Sequence, residues 1–234
     1  MYAAWLRDPG QEAGETPAFP LVALVVSGGH TFLVEMTDHL TYRLLGQTVD
    51  DAAGEAFDKV GRLLGLDYPG GPAIQRAAQR ASRHDARFPR AWMGDSYDFS
   101  FSGLKTAARR TVDAAGADAG LREPDEPLPH AVVAELAWGF QDAVVDVLVA
   151  KTMRAARAID ARSMVLGGGV AANAALRTRL AGEAEALGVP LIVPRPALCT
   201  DNGAMIGAAG ARRFAAGERA GLDLEATPSL PLAR

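Results

Sequence analysis

The residues best placed for chemistry are Asp201, Asn202 and Gly203, in the run Cys199-Thr200-Asp201-Asn202-Gly203-Ala204-Met205 just after Pro194-Arg195-Pro196. An acid, an amide and a glycine at the junction between a strand and a helix can reach a phosphate or a metal ion. Two more glycine-rich turns come after apolar runs: Val26-Ser27-Gly28-Gly29-His30-Thr31 and Leu166-Gly167-Gly168-Gly169-Val170-Ala171-Ala172-Asn173. Without a Cβ, successive glycines let backbone N–H groups approach anionic oxygens. Three such turns suggest one nucleotide-sized pocket. Each also has a plain reading: Ser27-Gly28-Gly29 is a sufficient hairpin turn, Asp201 competes with Asn202 for a helix cap, and Asp58 sits on a solvated helix face. Asn173 is placed to aim an amide at a base or ribose.

Other chemistries find no support. The histidines His30, His39, His84 and His130 lack the spacing of a helical metal pair, and there is no nucleophile elbow, Walker-type lysine loop or zinc pattern. Cys199 is the single cysteine, which excludes an internal disulfide and fits a reducing cytoplasm. With 49% hydrophobic and 22% charged residues the 234-residue chain can bury a core. Residues 131–159 are the most apolar helical stretch, yet they carry Glu135, Gln141, Asp142 and Asp146, so no membrane span is expected. The net charge of −4 means that any RNA contact must use a local patch.

The elements that must position these residues can be read from periodicity. Leu21–Val26 and Thr31–Met36 read as a hairpin, Tyr42–Leu45 as a third strand, and Asp50-Asp51 as the cap of a helix reaching about Leu64. Residues 66–129 read as a partly helical insertion, with 114–129 a mobile loop. A long amphipathic helix (131–159), a strand (Ser163–Leu166), a helix (172–187), a strand (Pro190–Val193) and a helix (202–217) complete the chain. Residues 9–20 read as a loop that strands the apolar Tyr2–Leu6. This order predicts an α/β fold, a ribonuclease-H-like domain of the actin-like ATPase (ASKHA) superfamily.

Taken together, six blocks closely resemble in order the signature of the TsaD family, once described as O-sialoglycoprotein endopeptidases. They are the two glycine turns and the Asp201 run above, with Asp50-Asp51-Ala52-Ala53-Gly54-Glu55-Ala56-Phe57-Asp58-Lys59, Gly65-Leu66-Asp67-Tyr68-Pro69-Gly70-Gly71-Pro72 and Phe99-Ser100-Phe101-Ser102-Gly103-Leu104-Lys105. The resemblance implies a tRNA threonylcarbamoyltransferase, an acyltransferase that moves the threonylcarbamoyl group of threonylcarbamoyl-AMP onto the exocyclic amine of the adenosine 3′ of the anticodon. It implies that Val25, Val26, Ser27, Gly28 and Gly29 contact the adenylate, that Asp58 and Gly71 hold its ribose side and that Asn173 lies by the adenosine. Asp201 becomes the carboxylate ligand of an iron or zinc ion, and TsaB-like and TsaE-like proteins become the partners.

Family members carry a further domain in front, ending in a His-x-x-x-His pair, and Tyr2-Ala3-Ala4-Trp5 resembles the family's segment immediately C-terminal to that pair. The chain is therefore read as the second of two domains, with 1–20 a remnant and linker and 21–234 the domain itself. With one metal ligand it is expected to hold no stoichiometric metal, and with Tyr2–Leu6 unpartnered it is expected to aggregate or to need a partner. The alternatives are a non-catalytic pairing module, a metabolite kinase of the same superfamily and a metallopeptidase.

Overall fold

A computed structural model describes residues 1–7, 15–120, 126–225 and 232. Parts of the expected 9–20 and 114–129 loops, at 9–14 and 121–125, lie outside the described residues. The centre is a five-stranded sheet of order β3-β2-β1-β4-β5, built from β1 (Leu21–Val26), β2 (Thr31–Asp38), β3 (Thr41–Gln47), β4 (Ser163–Gly167) and β5 (Leu191–Ile192). β1 to β3 form an antiparallel meander, while β4 pairs parallel to β1 and β5 parallel to β4. The mixed sheet is the α/β arrangement that the element order predicts.

β1 is apolar throughout because both of its faces are covered. Val22, Leu24 and Val26 point into the main core, and Leu21 and Ala23 into a smaller one on the other side. Helices α1 (Ala53–Leu63), α2 (Gly70–Ala78), α3 (Ser102–Asp118), α4 (His130–Ala158) and α5 (Ala174–Leu187) build the main layer. α4 is its axis, touching α1, α2, α3, α5 and β1. Consecutive residues Val133 to Ala137 are all buried, so α4 is covered all round and not on one face, which corrects the amphipathic reading. Residues 114–118 belong to α3 and not to a loop.

On the opposite face lie a 3-10 turn, Tyr2–Trp5, and α6 (Gly203–Ala215). Tyr2 and Ala4 are buried against Leu21, Ala23, Val34 and Met36, and the Tyr2 hydroxyl accepts from the Leu40 N–H at 2.9 Å. Tyr2–Leu6 therefore has a partner, contrary to expectation: it covers the sheet. α6 leaves Ile206 and Phe214 exposed.

The Asp50-Asp51 pair corrects another reading. α1 starts at Ala53 with no side-chain cap, and Asp50 instead accepts from the Ser100 hydroxyl, the Phe101 N–H at 2.8 Å and the Ser102 hydroxyl. Its charge thus holds the entrance of α3, fifty residues on in sequence. Asp51 pairs with Lys59 at 2.7 Å. The two acids look alike in sequence because either placement satisfies the same chemistry.

Glu135 on α4 performs a similar task for the segment after α2. Its buried carboxylate accepts the N–H groups of Ser82 (2.7 Å), Arg83 (2.8 Å) and His84 (2.8 Å). The Arg83 N–H, aided by the other two, holds the carboxyl at about 2, against the opposing push of burial. A depressed carboxyl stabilises the fold above its unfolded value of 4.5, and that contribution is lost as pH falls toward 2. Acid titration of the melting temperature should therefore show a fall across this window that Glu135→Gln makes shallower, Asp50 contributing the same way. An unchanged profile in the variant would count against the role of this carboxylate.

Candidate functional site

The parallel register sets β1 beside β4, with Val25 opposite Gly167, so the turns that leave the two strands emerge side by side. Crevices at the carboxyl ends of parallel strands are the usual ligand sites of α/β sheets. In the first turn the Ser27 N–H donates to the His30 carbonyl at 2.8 Å, and the His30 N–H to the Ser27 hydroxyl at 3.1 Å. α1 stands directly on it: the Gly54 N–H donates to the Ser27 carbonyl at 3.1 Å and the Ala53 N–H to the Thr31 hydroxyl at 3.0 Å.

The glycines here fall into two physical kinds. A Cβ on Gly54 would lie 2.6 Å from the Ser27 carbonyl oxygen, and one on Gly168, at φ +89°, 2.2 Å from that of Val26. These two let backbones touch. At Gly28, Gly29, Gly71, Gly167 and Gly169 a Cβ would meet nothing within 4 Å. Packing gives no reason for glycine there, and at Gly28, Gly71 and Gly169 the open space is a cleft.

That cleft, of about 580 Å³, is lined by Gly28, Asp58, Gly71, Gly169 and Asn173, with Tyr68 at its edge. Its size is in the range of small-molecule sites. Asp58 is no solvated ornament of α1: one oxygen accepts the Gly70 N–H at 2.8 Å and fixes the start of α2. Its other oxygen makes no hydrogen bond among the described residues. Asn173 has a structural task as well. It lines the cleft, but its Oδ1 accepts the Leu176 N–H at 3.0 Å and its Nδ2 donates to Gln141 at 2.8 Å. It caps α5, and a single amide hydrogen remains uncommitted.

A second hollow, of about 400 Å³, holds Val25, Ser27, Cys199 and Asp201 and shares Gly28, Gly169 and Thr200 with the first. The competition for the α6 cap goes to Asn202, whose Oδ1 accepts the Met205 N–H at 2.8 Å. Asp201 is thereby released and exposed. Burial pushes the Cys199 thiol up, against a smaller pull from Arg177, and its Sγ donates to the Pro194 carbonyl at 3.3 Å. This is a structural thiol. Val26 and Gly29 line neither hollow; the Val26 side chain is fully buried in the main core.

Among the described residues no three His, Cys, Asp or Glu side chains gather as a metal site. Asp201 supplies one donor, which does not fit a transition ion by itself. Sequence reasoning also missed Gly54, Gly70, Tyr68 and Thr200. The first two are positions where backbones touch: a Cβ on Gly70 would lie 2.4 Å from the Phe57 carbonyl oxygen.

Comparison with known proteins identifies the family. The family model described as TsaD, tRNA N6-adenosine threonylcarbamoyltransferase, matches residues 3–208. The protein of that name from Thermomicrobium roseum is 53% identical over 99% of this chain and 66% of its own length. Those from Symbiobacterium thermophilum and Bacillus subtilis are 49% and 47% identical, over 63% and 61% of their lengths. The chain thus spans less than two thirds of these relatives. Among solved structures, HypF of T. kodakarensis superposes with a TM-score of 0.52 at 18% identity, over 72% of this chain and 21% of that one, a likeness of fold alone. With the family model covering most of its length and relatives near 50% identity, the chain belongs to the TsaD family.

Proposed function

We propose that this chain carries the adenylate-binding half of a tRNA N6-adenosine threonylcarbamoyltransferase. The observation that carries the reading is the meeting of Gly28, Asp58, Gly71 and Gly169 on one nucleotide-sized cleft. Its substrates are threonylcarbamoyl-AMP and tRNA, and its partners are TsaB-like and TsaE-like proteins of the cytoplasm. The adenosine amine attacks the carbamoyl carbon of the mixed anhydride, the bond to the phosphate oxygen breaks, AMP leaves and the amine gives up a proton. Little covalent help is needed, so the cleft acts by holding donor and acceptor in line. Open backbone at Gly28 and Gly169 meets the phosphate, Asp58 and Gly71 the ribose, and Asn173 braces the wall by the adenine. Asp201 would provide a single ligand to the iron or zinc ion of the family, which it does not hold by itself, so no step of the transfer is assigned to a metal. Residues 21–234 serve as one domain, with an insertion at about 66–129.

The isolation of Asp201 favours one second reading, a non-catalytic module that pairs with a partner of similar fold. The adenylate reading is tested on this chain with AMP, monitored by NMR shifts. We expect weak binding at the cleft, reduced at least tenfold by Gly71→Val and by Gly169→Val. Neither residue has a positive φ and neither Cβ would meet a neighbour within 4 Å, so the melting temperatures should hold. No shift at the cleft, or undiminished binding in both variants, would sink the adenylate reading.

A further inference from the structure

Tyr68 is 84% exposed. A single exposed aromatic is ordinary on a protein surface, so what counts is where this ring stands. Its position is informative. Tyr68 lines the 580 Å³ cleft and also a neighbouring hollow of about 420 Å³ with Asp58, Lys59 and Arg62. That hollow in turn shares Lys59, Arg62 and Leu66 with a groove of about 800 Å³ between α1, α3 and the start of α4. Lys105, Arg109 and His130 stand in this groove. Three openings therefore form one path, with the ring at the lip of the cleft and cations beyond it.

The charges along the path are not spent on the fold. Arg62 and Lys105 are exposed and make no ion pair or hydrogen bond among the described residues. Arg109 pairs only with Asp113, at 3.3 Å between side chains more than half exposed, a contact that water and salt weaken. Lys59 is different: it is held by Asp51 and Glu55 at 2.7 and 2.9 Å. Asp113 and Glu126 also line the groove and Asp67 the smaller hollow, so the surface is a narrow track and not a broad basic face.

We propose that Tyr68, Arg62, Lys105 and Arg109 form a docking track for single-stranded RNA that delivers a nucleotide to the cleft. The proposal rests on the cleft being an adenylate and acceptor site, as argued above. A single-stranded RNA supplies both things the track offers to bind: a base face for the ring and phosphates for the cations. An acidic peptide would use the cations and leave ring and cleft idle. The net charge of −4 makes a local track the only electrostatic route for a polyanion to reach this chain.

The test is fluorescence anisotropy of a labelled RNA hairpin with an adenosine-bearing single-stranded loop, titrated with this chain over a range of salt. The double variant Lys105→Ala with Arg109→Ala should lower the slope of log affinity against log salt by about 1.4, at roughly 0.7 for each phosphate contact with a single strand. Tyr68→Ala should weaken binding about tenfold and Tyr68→Phe should restore it, since stacking needs the ring and not the hydroxyl. AMP shifts in the Lys105/Arg109 variant should match those of the parent chain. The proposal is overturned if the hairpin does not bind the parent chain at low salt, if these variants bind it as the parent does, or if polyglutamate of equal charge competes as well as unlabelled RNA. Loss of AMP binding with the hairpin results intact would sink the cleft reading alone and leave the track supported.

Discussion

Gly168→Ala is expected to cost about 4 kcal/mol or more. Gly168 has φ +89° and ψ 167°, a region that L-residues almost never occupy, so the strain alone is worth about 1–3 kcal/mol. A clash adds to it, because the new Cβ would sit 2.2 Å from the Val26 carbonyl oxygen, an atom of the central strand that cannot swing aside. Against a total stability of about 5–15 kcal/mol this is a large fraction. Urea denaturation provides the measurement, with Gly169→Ala as the control one residue on, where a Cβ meets nothing within 4 Å. Equal midpoints for the two variants would show that the turn does not need its glycine.

Phe140→Ala is expected to cost about 3–5 kcal/mol. Phe140 is fully buried near the middle of α4, edge-on to Phe57 of α1 at 5.2 Å between centroids and to Phe88 at 6.2 Å. Removing it opens a cavity between α4, α1 and the segment that carries Phe88, and it forfeits edge-to-face contacts worth about 1 kcal/mol apiece. α1 carries Asp58, so the loss should also loosen one wall of the cleft. Thermal or urea unfolding gives the number, and a change under about 1 kcal/mol would mean that the core collapses readily around the gap.

The strands and the long α4 were legible in the chain because their runs are unbroken by proline: Leu21–Val26 and Ser163–Gly167 are short runs that lead into glycine-rich turns, and α4 has no proline in 29 residues. What periodicity does not carry is the choice between equivalent polar partners. Asp50 and Asp51 both looked like caps for α1, but the oxygens of Asp50 went to α3, whose own start has no side-chain cap. Asn173 looked free for a ligand because its partner Gln141 lies on another helix. The same blindness hid the cover on the second sheet face, since Tyr2 meets Leu40 and Tyr42 only in three dimensions. The glycine turns were legible as a group, but their division into packed and open positions was not. Gly54 and Gly168 look like Gly28 and Gly169 until the opposing backbone is in place.

The seam between β1 and β4 has a consequence for how the chain is made. β1, β2 and β3 succeed one another through short turns and can pair as they leave the ribosome. β4 reaches the free side of β1 only much later: Ala18 and Ser163, which exchange two hydrogen bonds beside the seam, are 145 residues apart. Until then Leu21–Val26 is an unpaired apolar edge in the nascent chain, a template for pairing with other chains. The strand from which the first glycine turn emerges is thus the one left longest without its neighbour, and the cleft comes into being only once residues 163–200 have been made.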